Sequence, residues 1–264
     1  MSWKKVILVG VMAIVAVGLL GGCGNEKEKP TATAVKGKIV IGLDDNFPPY
    51  GFRDKDGKIV GFDIDMATEA AKRLGMTAEF KPIDWSAKEA ELKSKKIDVI
   101  WNGLSITPDR EKNILFSRPY MAGRQIILVR SDSPIQQKSD LAGKIVATQE
   151  GSTGLQAIQS EPEFQKSFKE FKQYGDNVTS FMDLEVGRID AVVVAEVTAL
   201  YFMQKEKANF RIVDGGYEPI PSGVGMSKDN ADLKGQLDKV LEDMKKDGAS
   251  GKIAEKWLGK DITL

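Results

Sequence analysis

The sequence predicts an α/β protein, and two observations carry this prediction. Short apolar segments of strand length alternate with segments whose apolar residues recur at helical spacing, a pattern typical of parallel strands connected by helices. The pattern begins near residue 38 and begins again near residue 141. With 264 residues, 42% of them hydrophobic, the chain can form one large domain or two lobes, and the restart favours two lobes.

The first lobe is predicted to start with a strand at residues 38–42, close to the beginning of the folded body at Gly37. Asp63 is the expected N-cap of a helix that Gly75 ends. The elements expected next are a strand at 78–82, a helix at 87–95, and strands at 98–101 and 125–130. Their order predicts a mainly parallel sheet.

The second lobe is predicted from a strand at 144–148, a loop at 149–152, a helix that starts near Thr153 and a strand at 191–195. The proline-containing stretch 219–222 interrupts the pattern. Residues 232–257 then carry apolar side chains at helical spacing, namely Leu233, Leu237, Val240, Leu241 and Met244. We expect these helices to pack back on the first lobe.

Composition excludes several classes of function. The 38 basic and 38 acidic residues leave no net charge, so composition gives no support for nucleic-acid binding. The chain has no histidine and one cysteine, which excludes Ser-His-Asp and Cys-His catalysis, histidine-based zinc sites and an internal disulfide. We expect no catalytic residue, no metal site and no cofactor.

Residues 1–22 are predicted to be a signal peptide. Two lysines precede an apolar run at 6–20, which is short for a membrane span and suits a signal-peptide core. Cys23 follows a Leu-Gly-Gly sequence that resembles the bacterial lipoprotein box, in which the thiol is lipidated; an incidental or buried thiol is the alternative. The polar residues 23–36 are expected to form a flexible tether.

The segment 102–110, with the sequence NGLSITPDR, places an arginine in the first turn of a predicted helix. Thr107 is the expected N-cap and Pro108 the first helical residue, so Arg110 stands at N3, where a cation opposes the helix dipole by roughly 0.3–1 kcal/mol. A ligand carboxylate would offset this cost, since it suits the planar guanidinium, the Ser105 hydroxyl and the free N–H groups of the helix start. An ordinary surface arginine paired with a neighbouring acid is the alternative.

From about residue 38 to the C-terminus the chain resembles the family 3 extracellular solute-binding proteins, the polar amino-acid receptors of ABC importers. The resemblance rests on motifs in a fixed order: IGLD at 41–44, FPPYGF at 47–52, GFDIDMA at 61–67, the 102–110 segment, FSRPY at 116–120, LAGK at 141–144, QEGST at 149–153 and GRIDAV at 187–192. Each motif alone is weak, whereas the ordered set is highly specific.

The resemblance implies a type II periplasmic-binding-protein fold with discontinuous lobes joined by two hinge strands. The first lobe would comprise residues 37–127 and 222–264 and the second lobe residues 128–221, with crossings near 127–130 and 213–225. The protein would be extracytoplasmic, anchored to the membrane by lipid, and a monomer. It would bind a polar amino acid or a similar small carboxylate by hinge closure and deliver it to a membrane permease.

Ligand contacts are expected beyond the carboxyl ends of strands, where loops and helix starts converge. By resemblance, Arg110 would bind the ligand carboxylate, and Phe47 and Trp85 would sandwich its side chain, although such aromatic residues are also typical of a core. Asp44 would hydrogen-bond the ligand or simply cap a turn. The complete expected set is Asp44, Phe47, Trp85, Asn102, Gly103, Ser105, Arg110, Gln149, Ser152 and Thr153. In it Gly103 offers exposed backbone, and the last two combine helix capping with carboxylate binding.

One position departs from the family pattern. Such receptors carry an aspartate in the second lobe that pairs with the α-ammonium of the ligand, and Ala195 stands at the matching place. Three explanations stay open. A helix begins there and turns Glu196 into the site, or Asp44 or Asp45 substitutes, or the ligand has no ordinary ammonium.

Two other functions compete with ligand delivery. A dehydratase on the same fold, as in the cyclohexadienyl dehydratases, would need an acid in the cleft as general acid, and no acid has an evident reason in the sequence to be protonated. A sensory module would have to signal in trans, because the sequence shows no C-terminal span or signalling domain.

Overall fold

A computed structural model describes residues 37–213 and 215–264 of the chain. The predicted signal peptide (1–22), the lipidation residue Cys23 and the predicted tether (23–36) lie outside the described residues. Within those residues the chain forms two five-stranded sheets, each covered by helices. This is the predicted two-lobed α/β fold.

The sheet of the first lobe has the strand order Met76–Pro82, Gly37–Leu43, Val99–Ile100, Gly225–Met226 and Leu115–Phe116. The first three strands are parallel to one another, and the last two are antiparallel to their neighbours. The predicted strands at 38–42, 78–82 and 98–101 are confirmed. The sheet is mixed rather than mainly parallel, because the chain re-enters it from the second lobe through Gly225–Met226.

The sheet of the second lobe has the strand order Glu170–Tyr174, Ile145–Gln149, Ala191–Ala195, Gln125–Arg130 and Phe210–Val213. Its first three strands are parallel, and Gln125–Arg130 is antiparallel to both of its neighbours. The predicted strands at 144–148 and 191–195 are confirmed. In both sheets, loops follow the carboxyl ends of the parallel strands. Ligands of α/β proteins bind beside such loops.

Helices connect these strands and cover both sheets. Those of the first lobe are Phe62–Arg73 (α1), Lys88–Lys93 (α2), Pro108–Asn113 (α3), Ala231–Lys246 (α8) and Ala249–Leu258 (α9). Those of the second lobe are Thr153–Gln159 (α4), Pro162–Lys166 (α5), Asn177–Glu185 (α6) and Glu196–Gln204 (α7). Each lobe also has a short 3₁₀ turn, at Trp85–Ala87 in the first and at Lys138–Leu141 in the second. Among the described residues, no helix combines the length and the apolarity that crossing a membrane requires.

The C-terminal helices pack on the first lobe, as predicted. Leu237, Leu241 and Met244, on one face of α8, join Met66 and Ala70 of α1 in a single buried cluster with the first sheet. Their spacing of three, four and seven residues places them on one side of the helix. The last part of the chain is therefore structurally part of the lobe in which the chain begins.

The crossings between the lobes are made by two short strands that pair with each other. Met121–Gly123 is antiparallel to Ile220–Ser222. The first crossing had been expected at 127–130 and the first lobe to extend to residue 127, but Gln125–Arg130 belongs entirely to the second sheet. Residues 126–129 are fully buried, and the strand is hydrogen-bonded to a neighbouring strand on each side, as is typical of the centre of a sheet.

Two smaller features position the site. A three-stranded antiparallel sheet, Asn46–Phe47, Gly51–Arg53 and Ile59–Val60, follows the first strand of the chain. The 3₁₀ turn at Trp85–Ala87 is capped by Asp84, whose carboxylate accepts from the Ser86 N–H at 2.9 Å. It leads directly into α2 and presents Trp85 to the second lobe.

Candidate functional site

The expected site residues converge on a small cavity between the two lobes, with a volume of about 40 Å³. Both lobes contribute to its wall. The lining residues are Phe47, Trp85, Gly103, Ser105 and Arg110 from the first lobe, and Gln125, Gln149, Ser152, Thr153, Asn177, Val193, Val194 and Ala195 from the second. Most of them follow the carboxyl ends of strands, as a ligand site in this fold class requires.

Arg110 occupies the helix position that its sequence context predicts. Helix α3 begins at Pro108, Thr107 is the N-cap, and the Thr107 hydroxyl accepts from the Arg110 N–H at 3.4 Å. The side chain is only 2% exposed and points away from the surface. Its Nη1 donates to the Ser105 carbonyl at 2.9 Å and to the Thr153 hydroxyl at 3.3 Å, so it contacts both lobes.

The guanidinium of Arg110 forms no ion pair with any described residue. Asp109 pairs with Lys112 instead, with an N–O distance of 2.6 Å. The alternative that Arg110 forms a surface ion pair with Asp109 is therefore wrong. Burial lowers the pKa of Arg110 to about 10. A buried cation that hydrogen-bonds only neutral oxygens is costly, and an anion placed beside it removes much of that cost.

Lys88 is a second buried cation beside Arg110, and the sequence analysis missed it. Its side chain is 4% exposed, and its Nζ donates to the Trp85 carbonyl at 3.0 Å and to the Gly151 carbonyl of the second lobe at 2.9 Å. Arg110 Nη2 donates to the same Gly151 carbonyl at 3.2 Å. Burial, and then the charge of Arg110, lower the pKa of Lys88 to about 7. A lysine at the start of an amphipathic helix gives no sequence signal of burial, because its long stem usually lies at the surface.

Asp44 and Gln149 form a hydrogen bond across the lobes. Gln149 Nε2 donates to Asp44 Oδ2 at 2.6 Å and to the Gly175 carbonyl at 3.0 Å, and Gln149 Oε1 accepts from Asn177 Nδ2 at 2.9 Å. Asp44 Oδ1 accepts from the Asn46 N–H, so the carboxylate also caps a turn. Of the two expected ligand contacts, only Gln149 lines the cavity. Asn177 lines it as well, although the sequence analysis did not identify it.

Asn102 also lies behind the cavity wall rather than in it. It is fully buried, and its Oδ1 accepts from the Asp44 N–H at 3.1 Å. The structure does not show the expected position for a direct ligand contact, because the Asn102 side chain is directed toward the backbone at the end of the strand Gly37–Leu43. Asn102 therefore supports the loop that carries Asp44.

Gly103 lines the cavity in the left-handed conformation, with φ of +62°. This conformation favours glycine, and a Cβ added at this position would also lie 3.2 Å from the Tyr50 ring, a close contact. Its N–H, however, is already used, since it donates to Asp63 Oδ2 at 2.6 Å. Gly103 therefore lines the cavity, as expected, but its N–H is not an exposed backbone group that a ligand could use.

Asp63 is not the N-cap of α1, as had been expected. Gly61 is the N-cap, and Asp63 is the second residue of the helix, with its side chain fully buried. Its Oδ2 accepts from both Gly103 N–H and the Tyr120 hydroxyl, the latter at 3.0 Å. The carboxylate thus fixes the turn that lines the cavity.

The two expected aromatic residues both reach the cavity. Trp85 is 6% exposed, and Lys88 Nζ lies 4.9 Å from the centre of its ring. Phe47 stacks on Tyr50 with ring centres 4.9 Å apart. Trp101, which follows the strand Val99–Ile100, is 1% exposed and packs in the first-lobe cluster instead.

The loop before α4 combines a helix cap with a contact to the opposite lobe. Ser152 is the N-cap, and its hydroxyl accepts from the Leu155 N–H at 3.1 Å. Thr153 is the first residue of the helix and receives the bond from Arg110. Gly151 precedes them with φ of +65°, and its carbonyl points to the first lobe.

The structure decides part of the question raised by Ala195. Helix α7 begins at Glu196 with Ala195 as its N-cap, but the Glu196 carboxylate binds Arg124, with an Nε–Oε2 distance of 3.0 Å. The explanation that Glu196 turns into the site is therefore wrong. Asp45 is held by Arg53 at 2.6 Å. Among the described residues that line the cavity, none is acidic.

Two acids near the site have a reason to be protonated that the sequence did not reveal. Burial raises the pKa of Asp44 to about 6 and that of Asp63 to about 7. Neither side chain lines the cavity. As arranged here, neither carboxyl group faces the space in which a ligand would react.

A larger groove, with a volume of about 710 Å³, lies elsewhere between the lobes and includes Phe52, Arg53, Met182 and Tyr201. We assign the site to the smaller cavity because it holds the helix start at Thr153, the two aromatic residues and the buried Arg110, which has no ion-pair partner among the described residues. The groove also has aromatic residues in its wall, but the described residues that line it include neither a buried arginine nor the start of α4.

Comparison with known proteins gives concordant matches over the folded body. The family model for bacterial extracellular solute-binding proteins, family 3, matches residues 39–260. The L-cystine-binding protein of Escherichia coli (strain K12) is 32% identical over 259 residues, which cover 96% of both chains. A Streptococcus pneumoniae ABC uptake transporter substrate-binding protein with bound histidine superposes with a TM-score of 0.83 and 35% identity, covering 86% of this chain and 94% of the other. An ancestral amino acid-binding protein, described as a precursor of cyclohexadienyl dehydratase, gives a TM-score of 0.78 and 34% identity over 84% of this chain and 96% of its own.

Proposed function

Because the chain belongs to the family 3 bacterial extracellular solute-binding proteins, we propose that it is the substrate-binding component of an ABC importer. It binds a polar amino acid or a similar small carboxylate in the cavity between its lobes. The observation that carries the assignment is Arg110, a buried cation without an acidic partner among the described residues, placed at the interface of the two lobes.

Closure of the lobes is the proposed mechanism. Arg110 belongs to the first lobe and Ser152 and Thr153 to the second, so a carboxylate between them contacts both lobes only when they are closed. A ligand shifts the equilibrium toward the closed form by its differential affinity for the two forms. Phe47 and Trp85 line the same cavity and would contact the ligand side chain.

The amino end of the ligand concerns the position, Ala195, at which this chain departs from the family pattern. Of the three acids considered for the ammonium, Glu196 is bound to Arg124 and Asp45 to Arg53, which leaves Asp44, hydrogen-bonded to Gln149 behind the wall. A free ammonium would meet no acidic group among the described residues of the cavity wall, and Arg110 in that wall carries the same charge. The site therefore favours a carboxylate whose nitrogen is uncharged, or an amino acid whose ammonium reaches Asp44 after Gln149 moves.

A thermal-shift panel tests the proposed function. Free L-amino acids, among them L-cystine, L-histidine, L-glutamine and L-arginine, are compared with N-acetyl amino acids and simple organic acids. A ligand at 100 times its dissociation constant adds about 2.7 kcal/mol to the free energy of unfolding. If no compound of the panel raises the melting temperature, the proposed function is wrong.

The remaining partners follow from the family. An ABC permease in the membrane would receive the ligand from the closed form, and the binding protein would act as a monomer outside the cytoplasm. The proposed lipid anchor at Cys23 is tested by Cys23→Ser, which should move the protein from the membrane fraction to the soluble fraction. Fractionation that leaves it unchanged would contradict lipidation.

The enzyme alternative has one supporting observation, the structural similarity to a precursor of cyclohexadienyl dehydratase. The curated relative and the histidine-bound neighbour are substrate-binding proteins. Turnover of prephenate or arogenate by the purified protein would favour the enzyme, and its absence favours binding alone. A sensory role in trans would require a signalling partner in addition to the permease.

A further inference from the structure

Lys88 and Arg110 donate to the same acceptor, the carbonyl oxygen of Gly151. The Nζ–O distance is 2.9 Å and the Nη2–O distance is 3.2 Å. Both cations belong to the first lobe and Gly151 to the second. The two bonds therefore exist only when the lobes are closed.

The two cations differ in what else they can bind. Arg110 lines the cavity, whereas Lys88 does not. When a ligand carboxylate binds Arg110, the guanidinium donates to the carboxylate in place of the Gly151 carbonyl, because charge-assisted hydrogen bonds are stronger than bonds to a neutral carbonyl. Lys88 then remains as the donor that holds Gly151.

Gly151 packs closely against the residues of the first lobe that surround this contact. A side chain added at Gly151 would lie 3.0 Å from the Ser86 Cα and 3.2 Å from Lys88 Nζ. The loop that precedes α4 therefore rests directly on the turn at residues 85–88. Lys88 is held in place by its second bond, to the Trp85 carbonyl, and by the Trp85 ring beneath it.

We propose that Lys88 is a positioning residue that clasps the second lobe in the closed form by binding the Gly151 carbonyl, without touching the ligand. The inference rests on the proposed closure of the lobes around a ligand. It assigns the two cations separate roles: Arg110 binds the ligand, and Lys88 retains the loop when Arg110 is occupied. The depressed pKa of Lys88 is consistent with a side chain that is desolvated on closure.

Lys88→Met tests the clasp, because methionine keeps an unbranched apolar stem of similar length and removes the donor. Lys93→Met is the matched control, since Lys93 is an exposed lysine on the same helix. L-Cystine, L-histidine, L-glutamine and L-arginine are used as probes. For a probe that binds the wild type, the dissociation rate of Lys88→Met should rise about tenfold and the association rate should stay within about twofold. Lys93→Met should change neither rate.

Amide hydrogen exchange of the probe-bound protein provides a second readout. In Lys88→Met the segment 149–156 should exchange severalfold faster than in the wild type, and the C-terminal helices should not change. Gly151→Ala disturbs the same contact from the other lobe and should raise the dissociation rate as well, without an additive effect in the double variant. Unchanged dissociation rates and unchanged exchange at 149–156 in Lys88→Met would overturn the proposal. If no probe binds the wild type, the proposed function fails and the role of Lys88 fails with it, whereas binding with unchanged rates and unchanged exchange overturns the role of Lys88 alone.

Discussion

Gln149 of the second lobe donates a hydrogen bond of 2.6 Å to Asp44 of the first lobe, and both side chains are buried. The same glutamine is fixed by Gly175 and Asn177, so the donor is already oriented before it meets the carboxylate. Together with the bonds that Arg110 and Lys88 make to Gly151, it defines the contacts that hold the lobes closed. Each of these contacts leads to a measurable consequence.

Replacing Arg110 by alanine should weaken ligand binding by about 2–5 kcal/mol, because a buried carboxylate would lose its charged partner. Isothermal titration calorimetry with a ligand identified in the thermal-shift panel measures the change. Arg188→Ala serves as the control, since its side chain is 72% exposed and pairs only at the surface. Unchanged affinity in Arg110→Ala would show that the ligand carboxylate binds elsewhere.

Replacing Gln149 by leucine should weaken binding and lower the free energy of unfolding by about 1–3 kcal/mol, because Asp44 and Asn177 would both lose a buried partner. A double-mutant cycle with Asp44→Ala isolates the bond between the two lobes. Additive effects of the two substitutions would show that this bond does not contribute to closure.

Ala195→Asp should raise the affinity for free α-amino acids relative to their N-acetyl derivatives, since it places a carboxylate in a cavity wall that has none among the described residues. Calorimetry on matched pairs of free and acetylated ligands tests this expectation. The acetylated compound is the internal control, because it keeps the carboxylate and lacks the ammonium. No gain for the free amino acid would indicate that another group, Asp44 first, already binds the ammonium.

The contribution of Asp63 to the free energy of unfolding should rise as the pH falls from about 7 toward 4. Burial raises the pKa of this carboxyl group to about 7 from 3.8, so in this range the folded state binds a proton that the unfolded state does not. The proton-linked stability is therefore present below pH 7 and is lost as the pH rises, with a slope of at most about 1.4 kcal/mol per pH unit.

Chemical denaturation of the wild type and of Asp63→Asn at several pH values measures this linkage. The difference in unfolding free energy, wild type minus variant, should grow as the pH falls, because asparagine cannot take up the proton. Asp56→Asn, at an exposed loop position, should leave the pH dependence unchanged. Parallel pH profiles for the wild type and Asp63→Asn would contradict a protonated Asp63.

Local patterns in the sequence were sufficient for most of the secondary structure and for the position of Arg110. Thr107 and Pro108 determine where α3 begins, and the helix start then places Arg110 at the third position whatever the rest of the chain does. The same holds for Ser152 as the cap of α4. These features depend on hydrogen bonds within a few residues, which a sequence reports directly.

The expectations that failed depend on distant partners. Asp63 has the sequence context of a helix cap, but Gly103 and Tyr120 bind it from outside its helix. Asn102 was expected in the cavity and instead supports Asp44. The strand Gln125–Arg130 was expected to start the crossing, but its pairing on both sides places it in the second sheet.

The sequence by itself determined the fold class, the order of the elements, the family motifs and the cation at the start of α3, because short-range spacing encodes each of them. Only the tertiary structure decided which polar groups are free to bind a ligand. Glu196 is engaged by Arg124, Gly103 by Asp63 and Asp44 by Gln149, whereas Lys88 is drawn from an apparent surface position to the interface of the lobes. The physical reason is that a buried polar group must find its partner in space, and that partner is often far away along the chain.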